Sequence, residues 1–389
     1  MAEAKGAEAK VAGTEMAETT QEAGLPAMEV APRLGLVRER LEDAGCEALL
    51  VTSLVNVRYL SGFSGSAGLL LVLPDETVLV TDGRYKFQSA EQLNAADVEA
   101  RIEVGNLSRQ KEAMADAARG VRRLGLEAAH VSWARQRTFA SEWFAEAELV
   151  PTEGIVEGLR RVKDQGEIAR LALAARIADR ALAAVRPRLR EAPTEREVAL
   201  ELDYQMRRLG AEGPSFDTIV ASGPNGAKPH ASPSDRAVAE GELVVIDFGA
   251  LVDGYHSDMT RTFCVGEPAT SVLRRMVEVV TRSQAAGVAA VAVGRRCAEV
   301  DQACRDVIAE AGWAEAFLHS TGHGVGLDIH EAPTVAATST DTLEDRAVVT
   351  VEPGVYLPEH GGVRIEDSVV VTDGGCRALT TSPKDLIVT

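Results

Sequence analysis

The sequence predicts an α/β (α+β) protein of two domains: an N-terminal α/β domain and a C-terminal domain built on an antiparallel sheet with pseudo-two-fold symmetry. Three observations predict it. The 389 residues exceed one ordinary core and suit two, at roughly 150 residues each. Up to about Val150, helix, strand and hairpin patterns alternate. Beyond it, two hairpins each carry a carboxylate on both arms, which implies that one sheet unit is used twice.

Taken in order, residues 1–30 are rich in Ala, Glu, Gly and Thr, lack the apolar run of a secretory signal, and read as a disordered tail. Leu34, Val37, Leu41 and Ala44 then recur at helical spacing, and Gly45 stops that helix. EALLVTS has the length and apolar content of a strand, and LLLVLPDETVLVTDGRY reads as a hairpin around Pro-Asp. The texture changes between Pro151 and Lys163, which separates a first domain at 31–153 from a second at 154–389. A helix spans Gln165 to Ala184. Another follows Thr194, whose capping box closes with Glu197, and runs to Gly210.

Composition narrows the function. Acidic residues outnumber basic ones by 59 to 41, a formal charge of -18 that repels nucleic acid and anionic membranes. No apolar stretch approaches the roughly 18 residues of a membrane span. Cys46, Cys264, Cys297, Cys304 and Cys376 are odd in number and form no C-x-x-C pair, so neither a disulfide framework nor a thiolate zinc site is expected, and a reducing cytoplasm fits. Cys297 and Cys304 read as helical core.

In ELVVIDFGALVDGYHSDMTRTFCVG an Asp253-Gly254 turn joins two β-rich runs, with Asp247 and Asp258 on the arms. AVVTVEPGVYLPEHGGVRIEDSVVV repeats the plan with Glu352 and Glu366. Like charges opposed on a sheet repel, and four clustered acids would raise one another's pKa. Two divalent cations relieve this, and an oxygen-dominated donor set favours Mn²⁺ or a similar ion over structural zinc. HSTGHGVGLDIHE packs three of the seven histidines into twelve positions. His323, between Gly322 and Gly324, is the expected ligand, while His319 and His330 remain as donors toward a substrate carbonyl. His230, in SGPNGAKPH, is a further candidate. The glycines around His323 lack the strand-turn-helix setting of a dinucleotide fingerprint.

Together FDTIVASGPNGAKPH, VVIDFGALVDGYHSDMTRTF, HSTGHGVGLDIHE, VEPGVY and GGVRIEDSVVV resemble the aminopeptidase P and prolidase family of pita-bread metallopeptidases, over roughly Gly154 to Thr389. NVRYLSGFSGSAG and TDGRY resemble the creatinase-like N-terminal domain that accompanies it. The resemblance implies that Asp247 chelates one ion, that Asp258 and Glu366 bridge two, and that His323 and Glu352 complete the ligand set of the second ion. It implies an activated hydroxide as nucleophile, with Glu352 as general base and proton shuttle. His230, His330 and His319 match the pocket histidines, and Tyr356 and Arg364 match residues that support the ligands. Short peptides with proline in second position are the implied substrates, and a homodimer the implied assembly.

Within this family, KPHASPSDR and a catalytic half without a large insertion favour an aminopeptidase over a prolidase. The N-terminal domain and GGVRIED separate the chain from methionine aminopeptidase. The complete ligand set separates it from creatinase and from a non-catalytic peptide-binding relative.

Overall fold

The computed structural model describes residues 24–388. Of the expected tail, residues 1–23 lie outside the described residues. Residues 26–30 depart from that expectation, because they are held against the second domain. The Glu29 amide donates to Asp164 Oδ2 (2.8 Å), Arg170 Nη1 donates to the Pro26 carbonyl (3.0 Å), and Val30 is buried. Gly166 permits the approach, since a Cβ there would sit 2.5 Å from the Ala27 carbonyl oxygen.

The N-terminal sheet comprises β1 (Ala48–Val51), β2 (Gly68–Val72), β3 (Thr77–Thr81), β4 (Arg101–Val104), β5 (Arg123–Glu127) and β6 (Glu148–Thr152), in spatial order β4-β3-β2-β1-β5-β6. Around it lie α1 (Arg33–Leu41), α2 (Leu54–Ser61), α3 (Lys86–Ala95), α4 (Leu107–Ala117) and α5 (Trp133–Thr138). Strand residues alternate between faces. Leu49, Val51, Leu70, Val72 and Leu79 therefore pack with α1, α2 and apolar groups of the second domain, including Val325, Leu327, Val348 and Val370. Ala48, Leu50, Leu69, Leu71, Val78 and Val80 pack instead on Met114, Phe139 and Trp143.

The connector carries α6 (Glu157–Arg160) and leads into α7 (Gln165–Val185) and α8 (Glu195–Arg208). Both long helices open with complete capping boxes, Asp164 with Glu167 and Thr194 with Glu197. Thr194→Ala is expected to lower stability by about 1 kcal/mol, because the Glu197 amide loses the hydroxyl oxygen that accepts from it. Chemical denaturation measures this, and an unchanged midpoint would show that the cap contributes nothing.

The second domain continues through β7 (Gly213–Pro214), β8 (Ile219–Ser222), β9 (Leu243–Phe248), β10 (Ala250–Val252), β11 (Tyr255–His256) and β12 (Met259–Val265). After α9 (Ser271–Ala290) and α10 (Cys297–Glu310) come β13 (Gly322–Gly324), β14 (Glu331–Val335), β15 (Val348–Val351), β16 (Gly354–Leu357), β17 (Gly361–Arg364), β18 (Asp367–Thr372), β19 (Gly375–Ala378) and β20 (Ile387–Val388). The two halves use one plan. Helices α7 and α8 cover the sheet β20-β12-β9-β8, while α9 and α10 cover β14-β13-β15-β18-β19. Cys297 and Cys304 are fully buried on α10.

Both expected hairpins form, each broken midway. The Asp253-Gly254 turn joins β10 to β11, with both residues at positive φ, as a two-residue turn of this type requires. In the β9–β12 ladder Asp247 faces Thr260 rather than Asp258, because the chain is interrupted at Gly249 and again at Ser257-Asp258. The second hairpin pairs β15 with β18 and β16 with β17, leaving Glu352 and Glu366 at the breaks between those ladders.

Candidate metal centre

Strand periodicity places the acids. Val244, Ile246 and Phe248 of β9 and Met259 and Phe263 of β12 face α7 and α8, so Asp247 and Asp258 turn to the opposite side. Val349, Val351, Val369 and Val371 face α9 and α10, which turns Glu352 and Glu366 the same way. The halves meet there: the Glu366 amide donates to the Thr260 carbonyl (3.1 Å), and Ser368 Oγ donates to the Asp258 carbonyl (2.8 Å).

One oxygen from each of Asp247, Asp258 and Glu366 lies within 4.8 Å of the other two. His323 Nε2 sits 3.3 Å from Glu352 Oε1 and 3.6 Å from Asp258 Oδ2. All five side chains line one cavity of about 660 Å³, together with His230, His319, His330 and Arg364. A larger, shallower groove beside α9, about 1080 Å³, holds none of these groups.

The electrostatics show what the cluster lacks. Burial first, and then the neighbouring carboxylates, push Asp258 and Glu366 well above the usual carboxylate range. Burial also raises Asp247, although Arg364 beside it works the other way. Burial opposes ionisation of Glu352 too, but the His323 hydrogen bond and charge outweigh it and bring Glu352 down to about 2. His323 is disfavoured by burial yet raised by Glu352, so a positive charge between these acids is favoured. Asp247 Oδ1 and Glu366 Oε1 are buried without a hydrogen-bond partner among the described residues, an arrangement that costs free energy unless something cationic meets them. Divalent ions fit this donor set of four carboxylates and one imidazole.

The remaining residues hold these side chains in place. His323 Nδ1 lies 3.1 Å from the Gly324 carbonyl; a proton there makes Nε2 the nitrogen that faces the acids, protonated beside Glu352 in the metal-free cluster and able to offer its lone pair once that proton is displaced by a cation. Gly322 and Gly324 are required by neighbouring backbone rather than by the imidazole, since a Cβ would lie 2.0 Å from the Thr350 carbonyl oxygen or 2.4 Å from that of Ala332. Arg364 donates to Asp247, to Thr260 Oγ1 (3.0 Å), to the Tyr356 hydroxyl (2.7 Å) and to the Pro229 carbonyl beside His230 (3.3 Å).

His319 departs from the expected role as a free donor, because both ring nitrogens are engaged. Nδ1–H donates to the Ser320 carbonyl (2.8 Å), and Nε2 accepts from the Tyr356 hydroxyl (2.9 Å). Burial pushes Tyr356 up to about 12, so its hydroxyl keeps that proton. His230 and His330 are exposed to the cavity, and His330 packs edge-on against His323 at 4.2 Å between centroids.

Two threonines were missed from sequence. Thr260 Oγ1 donates to Glu366 Oε2 (2.7 Å), and Thr350 Oγ1 donates to Glu352 Oε1 (3.0 Å). Each lies two residues from an acid on the same strand face, a spacing that could have revealed it.

The profile of metallopeptidase family M24 matches residues 169–373, and that of the Creatinase/Prolidase N-terminal domain matches residues 33–162. Uncharacterized peptidase YqhT of Bacillus subtilis (strain 168) is 42% identical over 356 residues, covering 92% of this chain and 99% of its own. The structure of an Xaa-Pro dipeptidase from Bacillus anthracis superposes with TM-score 0.87 at 39% identity, covering 91% and 98% of the two chains. That of an X-Pro aminopeptidase from Thermotoga maritima MSB8 gives 0.82 at 34%, covering 90% and 100%. Fold, site and relatives agree: the chain belongs to metallopeptidase family M24, a hydrolase with a Creatinase/Prolidase N-terminal domain ahead of a pita-bread catalytic domain.

Proposed function

We propose that the enzyme is a dinuclear-metal-dependent Xaa-Pro aminopeptidase, which hydrolyses the bond between the first residue of a peptide and a proline in second position. One observation carries the metal dependence: two buried carboxylates and the half-buried Asp247 converge within 4.8 Å, and two of their oxygens are buried with no partner among the described residues. Asp247, Asp258, His323, Glu352 and Glu366 would hold the ions. When bound, such ions lower the pKa of water to near neutrality and polarise a carbonyl. The donor set favours Mn²⁺, with Co²⁺ or Zn²⁺ as alternatives.

The protein's own groups do the rest. Glu352, ionised and held by Thr350, takes the proton from the attacking water and returns it to the leaving nitrogen. His230 and His330, open to the cavity, donate to the oxygen that gains charge in the transition state. An Xaa-Pro bond lacks an N–H and has a fixed φ, so peptidases that grip an extended backbone bind it poorly, whereas a pocket can recognise the ring. Arg364 is committed to Asp247, Thr260 and Tyr356, which leaves histidines to meet a dipeptide carboxylate and favours longer chains. An Xaa-Pro dipeptidase is the second reading, supported by the name of the Bacillus anthracis structure.

Product analysis with Mn²⁺ tests this, comparing an Xaa-Pro dipeptide, an Xaa-Pro tripeptide and a proline-free control. The expected result is release of the first residue from the tripeptide. Cleavage of the dipeptide alone would make the enzyme a prolidase, and no cleavage with any divalent ion would overturn the catalytic reading. A cytoplasmic setting agrees with five free thiols, four of them buried, and with the absence, among the described residues, of a helix long and apolar enough to cross a membrane. A homodimer acting on short peptides, without nucleic-acid or membrane partners, completes the proposal.

A further inference from the structure

The His330 ring makes no hydrogen bond to the protein among the described residues, so apart from its edge-on contact with His323 it is placed by the backbone that carries it. That backbone is gripped from both sides. Arg160 Nη2 donates to Asp328 Oδ2 (2.6 Å), two residues before His330, and to Glu331 Oε2 (2.5 Å), one residue after it. Lys163 Nζ donates to Glu331 Oε1 (2.7 Å). Arg160 and Lys163 are 3% and 1% exposed, so two buried cations are balanced against two anions. Gly326 completes the fit, because a Cβ there would meet the Glu331 carboxylate at 2.3 Å.

The grip does not originate in the catalytic fold. Arg160 ends α6 on the connector, and its Nη1 donates to Asn56 Oδ1 (2.9 Å) on α2 of the N-terminal domain. Asn56 is itself fixed, donating to Glu127 Oε1 (2.7 Å) and Glu157 Oε1 (2.6 Å). Val325 and Leu327, in the same histidine-bearing stretch, pack into the core around the N-terminal sheet.

We propose that Arg160, braced by Asn56 and assisted by Lys163, is a positioning residue through which the N-terminal domain sets the His330 imidazole over the metal centre. The inference rests on the reading that His330 stabilises the transition state. Displacing a group by about 1 Å from its productive place can cost about 100-fold in rate. A fork of three charge-assisted bonds to fixed partners prevents that displacement.

The test is a double-mutant cycle on the full chain with Mn²⁺ and an Xaa-Pro tripeptide, following kcat, KM and bound metal for Arg160→Met, His330→Ala and the pair. Arg160→Met is expected to lower kcat by about 10- to 100-fold, with KM and metal content unchanged. The pair is expected to be no slower than His330→Ala alone, within about two-fold. Wild-type kcat in Arg160→Met, or a double variant slowed by the product of the two single effects, would overturn the positioning role while leaving His330 in place. Unchanged kcat in His330→Ala would instead remove His330 from the reaction and the proposal with it. Should Arg160→Met fail to fold, Arg160→Lys keeps the buried charge without the fork and carries the same comparison.

Discussion

Asp258→Asn, and separately Glu366→Gln, is expected to abolish turnover while leaving the fold intact. Each substitution keeps the side chain's shape and removes one anionic oxygen from a cluster whose members stand within 4.8 Å. Loss of a group that merely supports a ligand costs about 10- to 100-fold in metal affinity or activity, so loss of a ligand should exceed about 100-fold. Bound metal per chain should fall in parallel.

Stability should move the other way in metal-free protein. Both acids have folded-state pKa values raised above the unfolded ones, chiefly by burial and then by neighbouring carboxylates, Glu366 first for Asp258 and Glu352 first for Glu366. A carboxylate so raised is disfavoured in its ionised form, and above its unfolded pKa it destabilises the fold. A neutral isostere removes that cost, so the metal-free variants should melt at or above the metal-free parent near pH 7. Wild-type turnover in either variant would sink the dinuclear mechanism. A metal-free melting temperature well below the parent's would refute the electrostatic account.

His230→Ala is expected to retain full metal content and a parent-like melting temperature, yet lose about 100- to 1,000-fold in kcat, the usual effect of deleting one donor to a developing oxyanion. The loop that presents His230 does not depend on its ring. Buried Glu195 organises that loop, accepting from the amide and hydroxyl of Ser222, from Asn225, and from the amide and hydroxyl of Ser234. Arg364 holds the Pro229 carbonyl next to it. A selective fall in kcat with KM little changed identifies an interaction made in the transition state. Unchanged turnover would remove His230 from the site.

What the sequence determined by itself is what short-range chemistry dictates. Capping residues at Asp164 and Thr194, the Asp253-Gly254 turn, and apolar residues at every second position placed helices, hairpins and buried faces. The same periodicity set the acids on the side away from the helices, and local motifs singled out the four acids and His323 that the fold brings to one cavity. Tertiary structure decided the partners. It paired Asp247 with Thr260, closed His319 onto Tyr356, drew residues 26–30 onto α7, and brought Arg160 and Lys163 from the connector to Asp328 and Glu331. Many of these contacts join residues more than 100 positions apart, and each depends on two separately folded faces meeting in one register. Periodicity says which way a side chain points along its own strand, but it carries no information about which distant segment will stand opposite.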